Sequence, residues 1–267
     1  MKYKILCSDL DGTLLSTKSD VSHYTIEQFN KIKNTTKVIL VSARMPSGMR
    51  YLQYRLGISE QPIICYNGAL ILSGKKELSS VSIPLDILKK IYTLCDGLDA
   101  DLGLYFNNEW YVPKTSVRVE KEIKYTKSTP TFRDTLRTLD DWQQRNVGAH
   151  KIMLMCTKEG ADTLMPLLRE KFETRVNLYR SNDTLIEIAP KSVSKLSAIK
   201  LLLGENDSLN DVIAFGDNYN DIEMLEHVGY GVAVANARDE VKAISKYITF
   251  ENTQDGVARF IENNWVY

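Results

Sequence analysis

The first third of the chain alternates short apolar runs with amphipathic stretches. Residues 5–7 are apolar and end abruptly at Asp9 and Asp11, where Gly12 and Thr13 break the run. Residues 25–33 place Ile26, Phe29 and Ile32 on one face, the spacing of a helix. Residues 37–41 are continuously apolar from Val38, which suits a strand covered on both faces in a parallel sheet. Pro46 opens a helix expected to reach Leu56, and residues 63–65 form a third short strand after Pro62. Residues 70–72 then enter a hairpin with Ser73-Gly74 at its turn. Strand, helix, strand, helix, strand is the pattern of a doubly wound, Rossmann-like α/β sheet.

Beyond residue 82 the pattern changes. Residues 85–94 read as an amphipathic helix after Pro84, and residues 102–106 and 110–112 flank Asn107-Asn108-Glu109 as a hairpin. Residues 151–156 form a strand, and residues 176–180 and 185–188 bracket Ser181-Asn182-Asp183 as a second hairpin. Residues 117–127 and 132–144 are polar, and their spacing decides no element. Residues 160–172 carry a helical pattern despite Pro166, which is expected to kink the helix or mark a late start. This antiparallel α+β character sets residues 82–187 apart as an inserted cap domain, with 1–81 and 188–267 as the core. From residue 194 the alternation returns: a helix over 194–203, then an apolar strand over 212–215 that runs into Gly216-Asp217-Asn218-Tyr219-Asn220-Asp221. Short helices and strands alternate from there to residue 262.

With 34 basic and 34 acidic residues in 267, the chain carries no net field that would draw it to nucleic acid or to a membrane. No apolar stretch approaches the roughly 20 residues that span a bilayer, and Asp9 and Asp11 interrupt any signal-peptide core. Cys7, Cys65, Cys95 and Cys156 make no Cys-x-x-Cys pair, and the three histidines are scattered. Free thiols and no disulfide scaffold point to a reducing, cytoplasmic setting.

The candidate chemistry starts at the end of the first strand. In an extended segment Asp9 and Asp11 point to one side and Leu10 to the other. Two carboxylates so placed repel unless a cation lies between them, and Mg2+ prefers oxygen ligands. A solvated turn is the bland alternative for a bare Asp-x-Asp. Ligands in doubly wound sheets bind beyond the carboxyl ends of the strands. Four groups belong there: Asp9 with Asp11, Ser42, the helix start holding Lys195, and the acidic segment from Asp217 to Asp221.

The segment Asp9-Leu10-Asp11-Gly12-Thr13-Leu14 resembles the first motif of the haloacid dehalogenase superfamily of phosphotransferases. Ser42 fits the second motif, Lys195 the third, and the run from Gly216 to Asp221 the fourth. Asn67-Gly68-Ala69, Val234-Ala235-Asn236-Ala237 and the stretch from Asn252 through Asp255-Gly256-Val257-Ala258 resemble the Cof-type sugar-phosphatase branch. That branch usually carries its cap between the second and third motifs. Where the family often has Thr-Gly-Arg, this chain has Ser42-Ala43-Arg44. Where it often has Gly-Val-x-Lys-Gly, this chain has Ser192-Val193-Ser194-Lys195-Leu196.

The resemblance implies a Mg2+-dependent phosphatase of small phosphorylated metabolites, sugar phosphates first among them. It makes Asp9 the nucleophile and Asp11 the general acid and base. Asp9, Asp217 and the Asp11 carbonyl become metal ligands, with Asp221 either a ligand or one step behind. It gives Ser42, Lys195, Asn220 and the Leu10 and Ala43 amides to the phosphoryl group. Arg44 is left open between substrate contact and a surface pair. Asn107, Asn108, Trp110, Arg180 and Asn182 are candidates for substrate selection from their places in or beside hairpin turns, with packing as the alternative for Trp110. A phosphomutase would use the same aspartates, and a phosphate-sensing module would bind without turnover.

Overall fold

The computed structural model of the chain describes residues 3–17 and 19–265. The first elements are β1 (Ile5–Ser8), α1 (His23–Ile32), β2 (Lys37–Val41), α2 (Ser47–Leu56), β3 (Pro62–Cys65), β4 (Leu70–Ser73) and β5 (Lys76–Ser80). There follow α3 (Leu85–Cys95), β6 (Ala100–Phe106), β7 (Glu109–Val112), α4 (Val117–Thr126), β8 (Thr131–Phe132), α5 (Thr135–Arg145), β9 (Lys151–Cys156), α6 (Lys158–Phe172), β10 (Val176–Asn182) and β11 (Leu185–Pro190). The chain closes with α7 (Lys195–Leu201), β12 (Val212–Gly216), α8 (Ile222–His227), β13 (Tyr230–Ala233), α9 (Asp239–Ile244), β14 (Tyr247–Ile248) and α10 (Gly256–Asn264). It divides into two compact units, Met1–Leu78 with Ser194–Tyr267, and Ser79–Val193.

The first unit is built on a sheet of order β14-β13-β12-β1-β2-β3-β4-β5. Neighbours from β14 to β3 are parallel, and β4 returns antiparallel on β3. Residues 5–7, 38–41 and 212–215 are each 1% exposed or less, because helices cover both faces, and the continuous apolar runs follow from that. This is the doubly wound α/β fold expected from the sequence. From β1 the chain winds outward through β2 and β3 on one side and returns through β12 and β13 on the other. Strand order therefore reverses between β1 and β12, where such sheets leave a crevice at their carboxyl ends. The register sets Ser8 level with both Phe215 and Leu40. Asp9, Asp217 and Ser42 thus leave the sheet side by side.

The second unit has a sheet of order β10-β11-β9-β6-β7-β8, antiparallel throughout except for β7 with β8. Its core joins Ile87, Leu88 and Ile91 of α3, Leu139 and Trp142 of α5, and Leu164 and Leu168 of α6 to alternate residues of the sheet.

Two stretches whose spacing decided nothing are helices. In α4 the only buried apolar side chain is Val119, so no stripe marks it; Ser116 caps its start by accepting from Val119 N. In α5 Asp134 caps in the same way on Arg137 N. The expectation of a late start at Pro166 fails, for α6 begins at Lys158 and runs through the proline. Thr157 sets that start by accepting from Gly160 N at 3.1 Å. Proline inside a helix costs about 3 kcal/mol. Burial of Leu164, Met165, Leu168 and Phe172, at roughly 1.5–3 kcal/mol each, outweighs it. All four cysteines are free, and among the described residues no helix is long and apolar enough to cross a membrane.

Candidate active site

Asp9 leaves the end of β1 with its N–H on the Phe215 carbonyl at 3.0 Å, so the neighbouring strand fixes its backbone. Lys195 Nζ donates to Asp9 Oδ1 and to Asp221 Oδ1, each at 2.6 Å. Lys195 is the first residue of α7 and is 1% exposed. Ser194 caps that helix: its Oγ accepts from Ser197 N while its own N–H donates to Ser197 Oγ. Ser194, at the position the family's pattern leaves open, thus anchors the lysine's backbone.

Asp217 follows β12, and Thr13 Oγ1 donates to its Oδ1 at 2.8 Å. Asp221 Oδ2 accepts from the Asp217 and Asn218 N–H groups at 3.0 and 3.1 Å. Both Asp221 oxygens are therefore engaged. Carboxylate oxygens of Asp9, Asp217 and Asp221 lie within 4.8 Å of one another. Among the described residues, Asp9 Oδ2 and Asp217 Oδ2 accept no hydrogen bond.

One ammonium among three carboxylates leaves the cluster anionic. Burial pushes Asp9 well above the usual carboxylate range; Lys195 opposes this, while Asp221 and Asp217 add to it. Burial, and then Asp221, raises Asp217 to about 6. Burial works against the charge of Lys195, but Asp221 and Asp9 outweigh it and hold the ammonium more firmly protonated than usual. Uncompensated charge together with two open carboxylate oxygens fits a hard divalent cation.

Asp11 does not join this cluster. Its carboxylate was expected on the same side as that of Asp9, but β1 ends at Ser8 and strand alternation ends with it. The following loop turns at Gly12, whose φ is +87°. Asp11 lies instead on Arg44, with Nε to Oδ2 at 2.8 Å and NH2 to Oδ1 at 2.6 Å. Arg44 is 3% exposed, which excludes the surface pair, one of the two readings left open for it. Ser42 is buried beside it, its N–H on the Ile64 carbonyl and its Oγ accepting from Arg44 N at 3.2 Å. Ala43 sits between them in the same loop. Leu10 is fully buried under the first loop. Asn220 Nδ2 donates to Asn67 Oδ1 at 3.1 Å, tying the β12 loop to the turn after β3.

A family profile described as haloacid dehalogenase-like hydrolase matches residues 6–261. The chain belongs to the haloacid dehalogenase-like hydrolases. It is 32% identical over 269 residues to a putative phosphatase of Haemophilus influenzae, covering 99% of each chain. It is 27% identical to the pyridoxal phosphate phosphatase YbhA of Escherichia coli, over the whole of both. It is 25% identical to the 5-amino-6-(5-phospho-D-ribitylamino)uracil phosphatase YitU of Bacillus subtilis, covering 97% of this chain and 96% of that one. Among solved structures it superposes on a haloacid dehalogenase-like hydrolase from Bacteroides thetaiotaomicron with a TM-score of 0.90 and 27% identity, covering 99% and 100%. The chain is a phosphoric monoester hydrolase of the Cof-type branch.

In this hydrolase the branch's C-terminal segments act as clamps that sequence reasoning left without a role. Asn236 Nδ2 donates to the Gly12 carbonyl at 2.8 Å, Asn252 N–H donates to Asn236 Oδ1 at 2.9 Å, and Asn252 Nδ2 holds the Leu15 carbonyl at 2.8 Å. Thr13 was named only as part of the first motif, yet it is the residue that orients Asp217. The hydrolase uses most of its hairpin candidates within the second unit. Trp110 is 2% exposed and stacked on Tyr105 with centroids 5.4 Å apart, so it packs and offers no open face to a substrate. Asn107 occupies a left-handed turn with its N–H on His150 Nδ1, and Asn108 follows it in that turn. Arg180 Nε holds the Asn182 carbonyl at 2.7 Å, and Asn182 Oδ1 accepts from Thr184 N at 3.0 Å. Arg180 and Asn182 thereby close the β10–β11 hairpin.

Proposed function

We propose that this phosphatase is Mg2+-dependent, uses Asp9 as a nucleophile, and acts on small phosphorylated metabolites, with sugar phosphates as the narrower choice. The observation that carries this reading is the pairing of Asp9 with Lys195 beside Asp217, with one oxygen of each acid open. Asp9 and Asp217 would hold the metal, and Asp221, spent on Lys195 and two backbone N–H groups, would orient them. Bound there, Mg2+ would supply positive charge that keeps the acids ionised beside an incoming phosphate dianion.

Asp9 attacks phosphorus as the ester P–O bond breaks, and Asp11 gives its proton to the departing alkoxide. Water then attacks the aspartyl-phosphate. Its proton passes to Asp11, the P–O bond to Asp9 breaks, and inorganic phosphate leaves. Lys195, the Ser42 hydroxyl, Asn220 and the Leu10 and Ala43 amides would donate to the phosphoryl oxygens, where transition-state charge is spread. The named substrates of YbhA and YitU are both small phosphorylated molecules, which supports the substrate class. Free cysteines support a cytoplasmic setting.

The test is phosphate release from a panel of sugar phosphates, pyridoxal phosphate and p-nitrophenyl phosphate, with Mg2+ and with chelator. Turnover should require the metal and fall about a thousandfold or more in Asp9→Asn, about 4 kcal/mol of barrier. Turnover that survives either change would sink the reading.

A further inference from the structure

Arg44 reaches Asp11 from a site built to hold the guanidinium still. Its Nε and NH2 take both Asp11 oxygens side-on, at 2.8 and 2.6 Å. Its NH1 donates to the Gly48 carbonyl at 3.2 Å and to Tyr51 Oη at 3.1 Å. Tyr51 in turn donates its hydroxyl proton to the Ser19 carbonyl. Gly48 and Tyr51 both lie on α2, which starts three residues after Arg44, so the helix holds the guanidinium from its own first turns. The exposures are lopsided: the Arg44 side chain is 3% exposed and that of Asp11 is 53%. The arginine is the enclosed member and the carboxylate the open one.

We infer that Arg44 is the positioning residue for the proton-transfer step, setting where and in which plane Asp11 presents its carboxyl group. This rests on the proposed reading of Asp11 as general acid and base. A planar fork defines a carboxylate's position and orientation together, which a lysine's point charge cannot. A misplacement of about an ångström in such a group costs on the order of a hundredfold in rate.

The experiment separates positioning of the acid from general support of the fold. A p-nitrophenolate leaves without needing a proton, whereas an alkoxide needs one. In Arg44→Ala and Arg44→Lys, kcat/KM for an alkyl phosphate such as glycerol 3-phosphate should fall about 100-fold or more. With p-nitrophenyl phosphate the fall should stay within about fivefold. Asp11→Asn should lower kcat/KM for the alkyl phosphate at least as much, and adding Arg44→Ala to it should lower that value little further, as expected for residues acting as one unit. Tyr51→Phe, which keeps the ring and removes one support of the guanidinium, should show the same split at about 3–10-fold, and it answers the question should the Arg44 variants not fold. Equal losses on both substrates, or no loss on either, overturn the inference. Wild-type protein that releases no phosphate, or Asp9→Asn that still does, would overturn the proposed function instead.

Discussion

At the scale of single residues, Lys195 is where stability and chemistry meet. It is 1% exposed and lies between Asp9, at 6%, and Asp221, at 0%. Removing one member of a buried ion pair leaves an uncompensated charge, at a cost of about 3–5 kcal/mol. Lys195→Met should therefore lower the unfolding free energy of metal-free protein by about that amount in a denaturant titration; an unshifted midpoint would mean that the two aspartates do not depend on it. Lys195, Asp9, Asp217 and Asp221 were all legible as candidates, because each stands at the end of an apolar run or the start of a helix. The pairings that shape the site were not. Asp11 meets Arg44 33 residues on, Thr13 meets Asp217 after 204, and Asn236 meets Gly12 after 224. No local spacing encodes contacts that only the sheet order creates.

At the scale of elements, the loop after β1 depends on one glycine. Gly12 has a φ of +87°, and a Cβ there would lie 2.5 Å from Asp217 Oδ2. Any side chain thus strains the backbone and pushes the acid that Thr13 and the loop hold in place. Gly97 offers a control, with a φ of +73° and nothing within 4 Å of where its Cβ would stand. Gly12→Ala should weaken Mg2+ binding about 10–100-fold, the range for groups that orient metal ligands. Gly97→Ala should leave Mg2+ binding unchanged and cost about 1–2 kcal/mol of stability. Isothermal titration with Mg2+ reads the difference, and equal affinities in the two variants would remove Gly12 from the site. Elements read well from the sequence wherever both faces of a strand or one face of a helix are buried. Elsewhere a cap decides. Ser116, Asp134 and Thr157 each start a helix that apolar spacing alone left undecided or placed late.

At the scale of the whole molecule, the acidic cluster reverses the usual dependence of stability on pH. Asp9 and Asp217 have raised pKa values in the folded chain, the latter to about 6, chiefly through burial. A raised acid pKa means that the native state binds more protons than the unfolded state between the two values. Stability contributed by these groups is therefore fully present below the ordinary carboxylate value and is lost as pH rises through the folded one. A divalent cation competes with those protons and binds only the acids' ionised form. In chelator, the contribution of this site to the melting temperature should decline from about pH 4 to about pH 7. At about pH 7.5, Mg2+ at a hundredfold excess over its Kd should restore about 2.7 kcal/mol, a rise of about 5–10 °C. The same Mg2+ concentration at about pH 5 should raise the melting temperature less, because protons hold the acids. Hydrogen exchange should place the gain in the strand ends and loops that carry Asp9, Lys195 and Asp217, with little change in Ser79–Val193. The unit that holds the acids is the one whose opening a bound metal would oppose. A shift that is equal at both pH values, or greater at the lower, would show that the cation binds somewhere other than this cluster.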